Sequence, residues 1–370
     1  MVRVSTPKSP VGPFPIALPL RAMINPHTHL REDTPDIEVV KDLIAHAVAG
    51  GAAVLGPMPN TVTGLTTAGQ VIDYIAECKR KSGKASFDPG FIPIVQITEH
   101  TTPQNLDYCI PLEIYDGKVY PFERTTNSEN GVRDYWKLIP ILQYAGTIGM
   151  RIHLHPEIPN MIVENRDAEW HFVAIMDMLM RSTEDHGTVF VWEHGTDSRC
   201  IPHWKEWAQS GRFYITLTAH HLATNESETF GDVQATCKPS IKTLIDQRGL
   251  VGLVAEDHDW VMAGADDAPH PKEKKHVYGK CACGAYTAPF IFALYAHALH
   301  SLLTSKKGMR IFASFMYGNA ARMYKIKLKH LPMVELSNTP MTIPKTYQVG
   351  PWTIETFWAG KKIGWSMKYL

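Results

Sequence analysis

The sequence predicts an α/β fold: a (β/α)8 TIM barrel of eight parallel strands, with an N-terminal extension and a C-terminal tail. Three observations carry this. Short β-branched or apolar runs alternate with helix-like stretches, as parallel strands with helical crossovers require. No glycine-rich phosphate loop follows an early strand, which argues against an open doubly wound sheet. Histidines, a lysine and an aspartate fall where strands end, the edge on which barrels carry their chemistry.

The strands are expected at 22–25, 52–58, 91–98, 117–121, 150–155, 188–194, 213–217 and 261–265. Between them, helices are expected at 66–81, 132–145, 168–181 and 240–247. In the first of these, Val71, Ile72, Ile75 and Cys78 form an apolar stripe at helical spacing. At 370 residues the chain suits one barrel domain spanning 1–370. A proline-rich extension over 1–20 carries Pro7, Pro10, Pro13, Pro15 and Pro19.

Apolar residues make up 44% and charged residues 20%, an ordinary globular balance. The net charge is zero, so there is no basic face for nucleic acid and no charged face for a membrane surface. The proline-rich start has no apolar core of signal-peptide type, and the longest apolar stretch, 290–303, is too short for a bilayer. A cytoplasmic protein is expected. The six cysteines show no disulfide framework, and Cys281-Ala282-Cys283 is too tightly spaced for a C-x2-C metal knuckle. They read as free thiols.

His27-Thr28-His29 is the first chemical signal. On an extended segment i and i+2 face one side, so both imidazoles can reach one metal. Alone, the pair could equally be two core or surface histidines. Leu30-Arg31 follows it directly, and Asp266 stands in Gly264-Ala265-Asp266-Asp267-Ala268-Pro269-His270. His155 has a competitor in His153, which shares its face of the strand. Asp267, next to Asp266, is read as structural or as a surface carboxylate.

Taken in order, His27-x-His29-Leu30-Arg31, Pro57-Met58-Pro59-Asn60, Gly117-Lys118-x-Tyr120-Pro121 with Thr125-Thr126-Asn127-Ser128, His155-x-Glu157, Glu193-His194 and Ala265-Asp266-x-Ala268-Pro269-His270 resemble the dihydroorotases. The similarity is greatest to the bacterial single-function type that also occurs in yeast. It extends to Phe357-Trp358-Ala359-Gly360 and Trp365-Ser366-Met367-Lys368 at the C-terminus.

The resemblance implies two zinc ions per subunit. His27, His29 and Asp266 would bind one, and His155 and His194 the other. Lys118, carboxylated on its amine, would bridge them, since a carbamate offers one oxygen to each cation. Between His153 and His155, the resemblance selects His155. Asp266 would also be the catalytic base. The implied reaction is the reversible hydrolysis of dihydroorotate to N-carbamoyl-L-aspartate, the third step of pyrimidine biosynthesis, in a homodimer. Arg31 would clamp the substrate carboxylate in a bidentate fork, with Asn60 and His270 supporting it. Thr125 and Thr126 would lie on a closing loop, 124–131. Leu222, Cys283 and Gly284 would contact the ring through main-chain groups.

Two departures from the family pattern concern geometry. Pro26 precedes the histidine pair and removes a backbone donor, and Pro156 stands beside His155 in place of a glycine. Two other readings remain. One is a related cyclic amidohydrolase (dihydropyrimidinase, hydantoinase or allantoinase); the other is a non-catalytic scaffold, against which the complete ligand set speaks.

Overall fold

The structure, a computed structural model, describes residues 17–159 and 163–370. The proline-rich extension lies outside this range except for residues 17–20, which open a strand. Strands are labelled β1 (Ala17–Arg21), β2 (Met23–Thr28), β3 (Ala52–Pro57), β4 (Gly90–Phe91), β5 (Ile94–Ile97), β6 (Asp116–Val119), β7 (Arg151–Leu154), β8 (Val189–Trp192), β9 (Phe213–Leu217), β10 (Val261–Ala263) and β11 (Met333–Ser337).

All pairings from β2 to β4 and from β5 to β10 are parallel. β4 and β5 are two pieces of one barrel stave, parted at Pro93, which has no N–H for the ladder. Just beyond β2 and β10, a parallel bridge between Thr28 and Asp267 joins the two edges. Eight staves and this bridge close the barrel.

The expected strands are all present, shifted at their ends by a few residues. The helices differ more. The segment expected at 240–247 forms Leu244–Ala255 instead, because Thr243 accepts from the Asp246 amide and makes a capping box with it. The stretch from 132 begins with a 3-10 turn at Tyr135–Leu138, capped by Asp134, and becomes α-helical only at Ile139–Thr147.

The C-terminal region is more than a tail. Ser366–Tyr369 pairs antiparallel with β11, which pairs antiparallel with β1. Both ends of the described chain are therefore stitched into one small sheet beside the barrel. Between strands and helices, Trp192 packs edge-on against Phe172 and Trp204, with centroids 5.6 and 5.8 Å away. Such pairs add about 1 kcal/mol each beyond their buried area.

A helix that the sequence reading did not predict, Val40–Ala49, is set by a remote cap. The Asp33 carboxylate accepts from the Val39 and Val40 amides at 2.5 and 3.0 Å and pairs with Lys81 at 2.5 Å. Burial opposes ionisation of Asp33, yet the Lys81 ammonium and the two amides outweigh it and pull the carboxyl below its ordinary 3.8. Asp33→Ala is expected to lower unfolding stability by about 1–2 kcal/mol, read by denaturant titration. Because the folded carboxyl is the more acidic, this stabilisation is complete above pH 3.8 and fades as pH falls through the folded value. The gap between wild type and variant should therefore close in acid.

Candidate active site at the barrel mouth

The mouth is built where β2, β6, β7, β8 and β10 end. His27 lies near the end of β2 and His29 just past it, and Asp266 follows β10, the adjacent stave. The Asp266 Oδ1 lies 3.1 Å from the Nε2 atoms of both histidines. His194 follows β8, with its ring centroid 4.9 Å from His27 and 4.8 Å from His155. Lys118, on β6, is fully buried and pairs with Glu193, whose Oε2 is 3.1 Å from His27 Nδ1. Residues from five strand ends that are far apart in sequence thus meet in one place.

The backbone there is unusual. Arg31, His194 and Asp266 all adopt left-handed conformations, with φ of 58°, 46° and 45°. Non-glycine residues rarely sit there, and such strain gathers at functional sites. Pro26 is accommodated by its neighbours. Asn25 Oδ1 accepts from the His27 amide at 3.3 Å and the Ala265 amide at 2.9 Å, so a side chain does the pairing around the proline. Gly56 lets β3 come close, since a Cβ there would stand 2.2 Å from the Pro26 carbonyl oxygen.

The electrostatics suit metal ligation. Burial pushes His155 and His194 well below the ordinary imidazole value and His29 down to about 4, so these rings are neutral. Burial would lower His27 too, but Glu193 and Asp266 outweigh it and push it up to about 9. Burial would raise Asp266, but the charged His27 ring beside it and hydrogen bonds from His27 and His29 hold it well below the usual carboxylate range. Burial also pushes the Lys118 amine down. The ligating atoms of His27, His29 and Asp266 lie within 4.8 Å of one another, as do those of His27, Glu193 and His194. His194 Nδ1 is buried and finds no hydrogen-bond partner among the described residues. A cation is the partner that this donor set fits.

The competition between His153 and His155 has a physical answer. His153 lies deeper, with Nδ1 2.7 Å from Glu193 and Nε2 2.9 Å from Asp116. Both of its nitrogens are engaged. His155 instead pairs through Nε2 with Glu157 at 2.7 Å, an arrangement that fixes the tautomer and leaves Nδ1 for other work.

Below the mouth runs a buried polar ladder that the sequence reading did not assemble. Arg151 grips Asp116 with two bonds of 2.7 and 2.6 Å, Asp116 meets His153, His153 meets Glu193, and Glu193 meets Lys118 and His27. Its signal was the two-residue spacing of Asp116 with Lys118 and of Arg151, His153 and His155. Asp267, read as structural, accepts from Thr28 Oγ1 at 2.8 Å and Asn25 at 3.2 Å at the barrel seam.

The remaining expected residues divide. Arg31 donates through Nε to the Pro269 carbonyl at 3.0 Å and lies 3.1 Å from His270 Nε2, which is 2.9 Å from the Cys283 carbonyl. These three form one cluster beside the mouth. The 124–131 segment rests on Asn60, whose amide donates to the Thr126 carbonyl at 2.9 Å while Asn127 donates to the Asn60 carbonyl at 3.0 Å. Within it, the Thr125 amide and carbonyl are both engaged by Ser128.

The Leu222 main chain already has partners within the fold. Its amide donates to the Thr218 carbonyl inside a short helix, Ala219–Ala223, and its carbonyl accepts from Gln247. Gly284 is also committed, its amide to the Thr236 carbonyl and its carbonyl to Lys275. No helix among the described residues is long and apolar enough to cross a membrane.

Comparison with known proteins places this geometry. The chain is 28% identical over 348 residues to the dihydroorotase of Shewanella putrefaciens, an alignment covering 92% of this chain and 96% of that protein. The dihydroorotase of Shewanella amazonensis is 29% identical over 347 residues, with the same coverage. In structure, a dihydroorotase from Saccharomyces cerevisiae, solved in complex with 5-fluoroorotic acid, superposes with a TM-score of 0.86 at 23% identity, covering 95% of this chain and 98% of that one. An L-hydantoinase from Arthrobacter aurescens gives 0.78 at 11% identity, covering 95% and 84%. No family model matches the chain. The fold is therefore the TIM barrel of these enzymes, and the sequence resemblance to dihydroorotases runs along nearly the whole chain.

Proposed function

We propose that the chain is a dihydroorotase, hydrolysing the cyclic amide of dihydroorotate to N-carbamoyl-L-aspartate and running biosynthetically as ring closure. The observation that carries this is the joint placement of Arg31 and the His27–His29–Asp266 cluster at one barrel mouth. The cluster would serve the hydrolysis of any cyclic amide. A substrate with a spectator carboxylate also needs a fixed cation, and the planar Arg31 fork meets a carboxylate with two parallel bonds.

His27, His29 and Asp266 would hold one zinc ion, and His155 and His194 a second. Lys118 would bridge them as a carbamate. Its burial favours the neutral amine, the form that adds carbon dioxide, and Glu193 beside it remains bonded to His153. When bound, the metal pair supplies Lewis-acid polarisation of the ring carbonyl and makes the attacking water acidic.

The residues of the chain do the rest. Asp266 takes a proton as the water oxygen bonds to the carbonyl carbon, and it returns that proton to the ring nitrogen as the C–N bond breaks. Glu157 keeps the His155 ring in one tautomer. Arg31 holds the carboxylate, supported by His270 and Asn60, while Thr125 and Thr126 cover the site from the segment seated on Asn60. Of the main-chain contacts expected from the resemblance, Cys283 lies nearest the Arg31–His270 cluster.

A panel of rings tests the substrate. Purified protein is expected to turn over dihydroorotate at least about a hundredfold faster, in kcat/KM, than dihydrouracil or hydantoin, which lack the carboxylate. Activity confined to the uncharged rings would assign the chain to the hydantoinase-like branch instead.

A further inference from the structure

Outside the residues at the mouth, a second group of soft and borderline donors is buried together. Thr218 ends β9 and caps the short helix that carries His220 and His221. Cys237 approaches from the loop before Leu244–Ala255. His221 Nε2 lies 3.7 Å from Cys237 Sγ and 3.1 Å from the Pro239 carbonyl oxygen, which is itself 3.3 Å from the sulfur. One donor atom from each of His220, His221 and Cys237 falls within a 4.8 Å span.

The geometry has the right scale. Zinc–nitrogen and zinc–sulfur bonds at a tetrahedral angle set nitrogen and sulfur about 3.6 Å apart. The observed His221–Cys237 separation of 3.7 Å is close to that. His220 supplies the independent sign. It is fully buried, and neither Nδ1 nor Nε2 has a hydrogen-bond partner among the described residues. A buried imidazole with both nitrogens unsatisfied is costly, and each such group calls for a missing partner. His221 is already braced for ligation, since Thr218 Oγ1 lies 2.6 Å from its Nδ1 and can orient the ring from behind.

We propose that His220, His221 and Cys237 form a third cation site, distinct from the pair at the barrel mouth and suited to a borderline divalent ion such as zinc. The Cys237 thiol gives up its proton to solvent as the thiolate–metal bond forms, with no change in oxidation state. The Pro239 carbonyl or a water takes the fourth position. The role is structural. The ion ties the 236–239 loop to the helix after β9, and the Thr236 carbonyl in that loop holds the Gly284 amide beside the Arg31–His270–Cys283 cluster.

Cadmium titration of the purified protein, equilibrated long enough for cadmium to displace any ion already held at the Cys237 thiolate, tests this without reference to turnover, so it stands or falls apart from the dihydroorotase reading. The expected result is an ultraviolet thiolate-to-cadmium charge-transfer band that saturates at a single equivalent. The band should persist in a Cys281→Ser/Cys283→Ser double variant and vanish in Cys237→Ser. His220→Gln should weaken binding roughly a hundredfold, since even outer-sphere partners of a metal site are worth 10–100-fold. Should Cys237→Ser fail to fold by circular dichroism, His220→Gln carries the decision. No band in the wild type, a band that survives Cys237→Ser, or unchanged affinity in His220→Gln would overturn the proposal.

Discussion

Asp266→Asn is expected to lower kcat for dihydroorotate by about 10⁴-fold, the upper range for loss of a positioned acid–base group. The asparagine keeps the size of the side chain and one oxygen near the two histidines, so the fold should survive. It cannot accept a proton from water or return one to the ring nitrogen. Asp266 is well suited to this work because the His27 charge and the hydrogen bonds from His27 and His29 hold it ionised despite burial. Its backbone is left-handed, with φ of 45°, and its carboxylate lies 3.1 Å from both His27 and His29 on the adjacent stave. Steady-state kinetics should show the loss mainly in kcat, with KM changed little, since the proton transfer belongs to the transition state. A loss confined to KM would make Asp266 a binding residue and not the base.

The second large effect is on specificity. Arg31→Met is expected to cost about 3 kcal/mol in kcat/KM for dihydroorotate, roughly 10²-fold, by removing a charge-assisted pair from a water-poor site. Turnover of uncharged dihydrouracil should not fall in parallel. Arg31→Lys should recover little, because a point charge does not reproduce the two-bonded fork. Arg31 also holds the Pro269 carbonyl, so thermal unfolding of the variant must be read alongside its kinetics. Equal losses on charged and uncharged rings would mean that Arg31 shapes the mouth without reading the substrate.

Much of the barrel was legible because short apolar runs alternate with helix-like stretches along the chain. What escaped depends on contacts between distant parts of the chain. The Val40–Ala49 helix is started by Asp33, six residues before its cap, through a carboxylate that also needs Lys81. The β1–β11 pairing unites residues 17–21 with residues 333–337, a partnership that no local pattern announces.

The site followed the same rule. Residues in short motifs, such as His27, His29 and Asp266, could be picked out one by one, and the structure brings them together. Glu193 was named only beside His194 in a short motif and given no role, although it touches Lys118, His27 and His153 at once. Leu222 is a different case. A main-chain contact leaves no trace in side-chain identity, and here its amide and carbonyl are spent within the fold.

The central claim is that the barrel mouth holds two cations joined through a modified Lys118. The most direct test is a crystal structure of the purified protein with anomalous scattering recorded at the zinc edge. The account predicts two peaks, one among His27, His29 and Asp266 and one beside His155 and His194, with planar density for a carboxylate on Lys118 Nζ between them. A bare Lys118 amine still paired with Glu193, and no anomalous peak among these histidines, would contradict it.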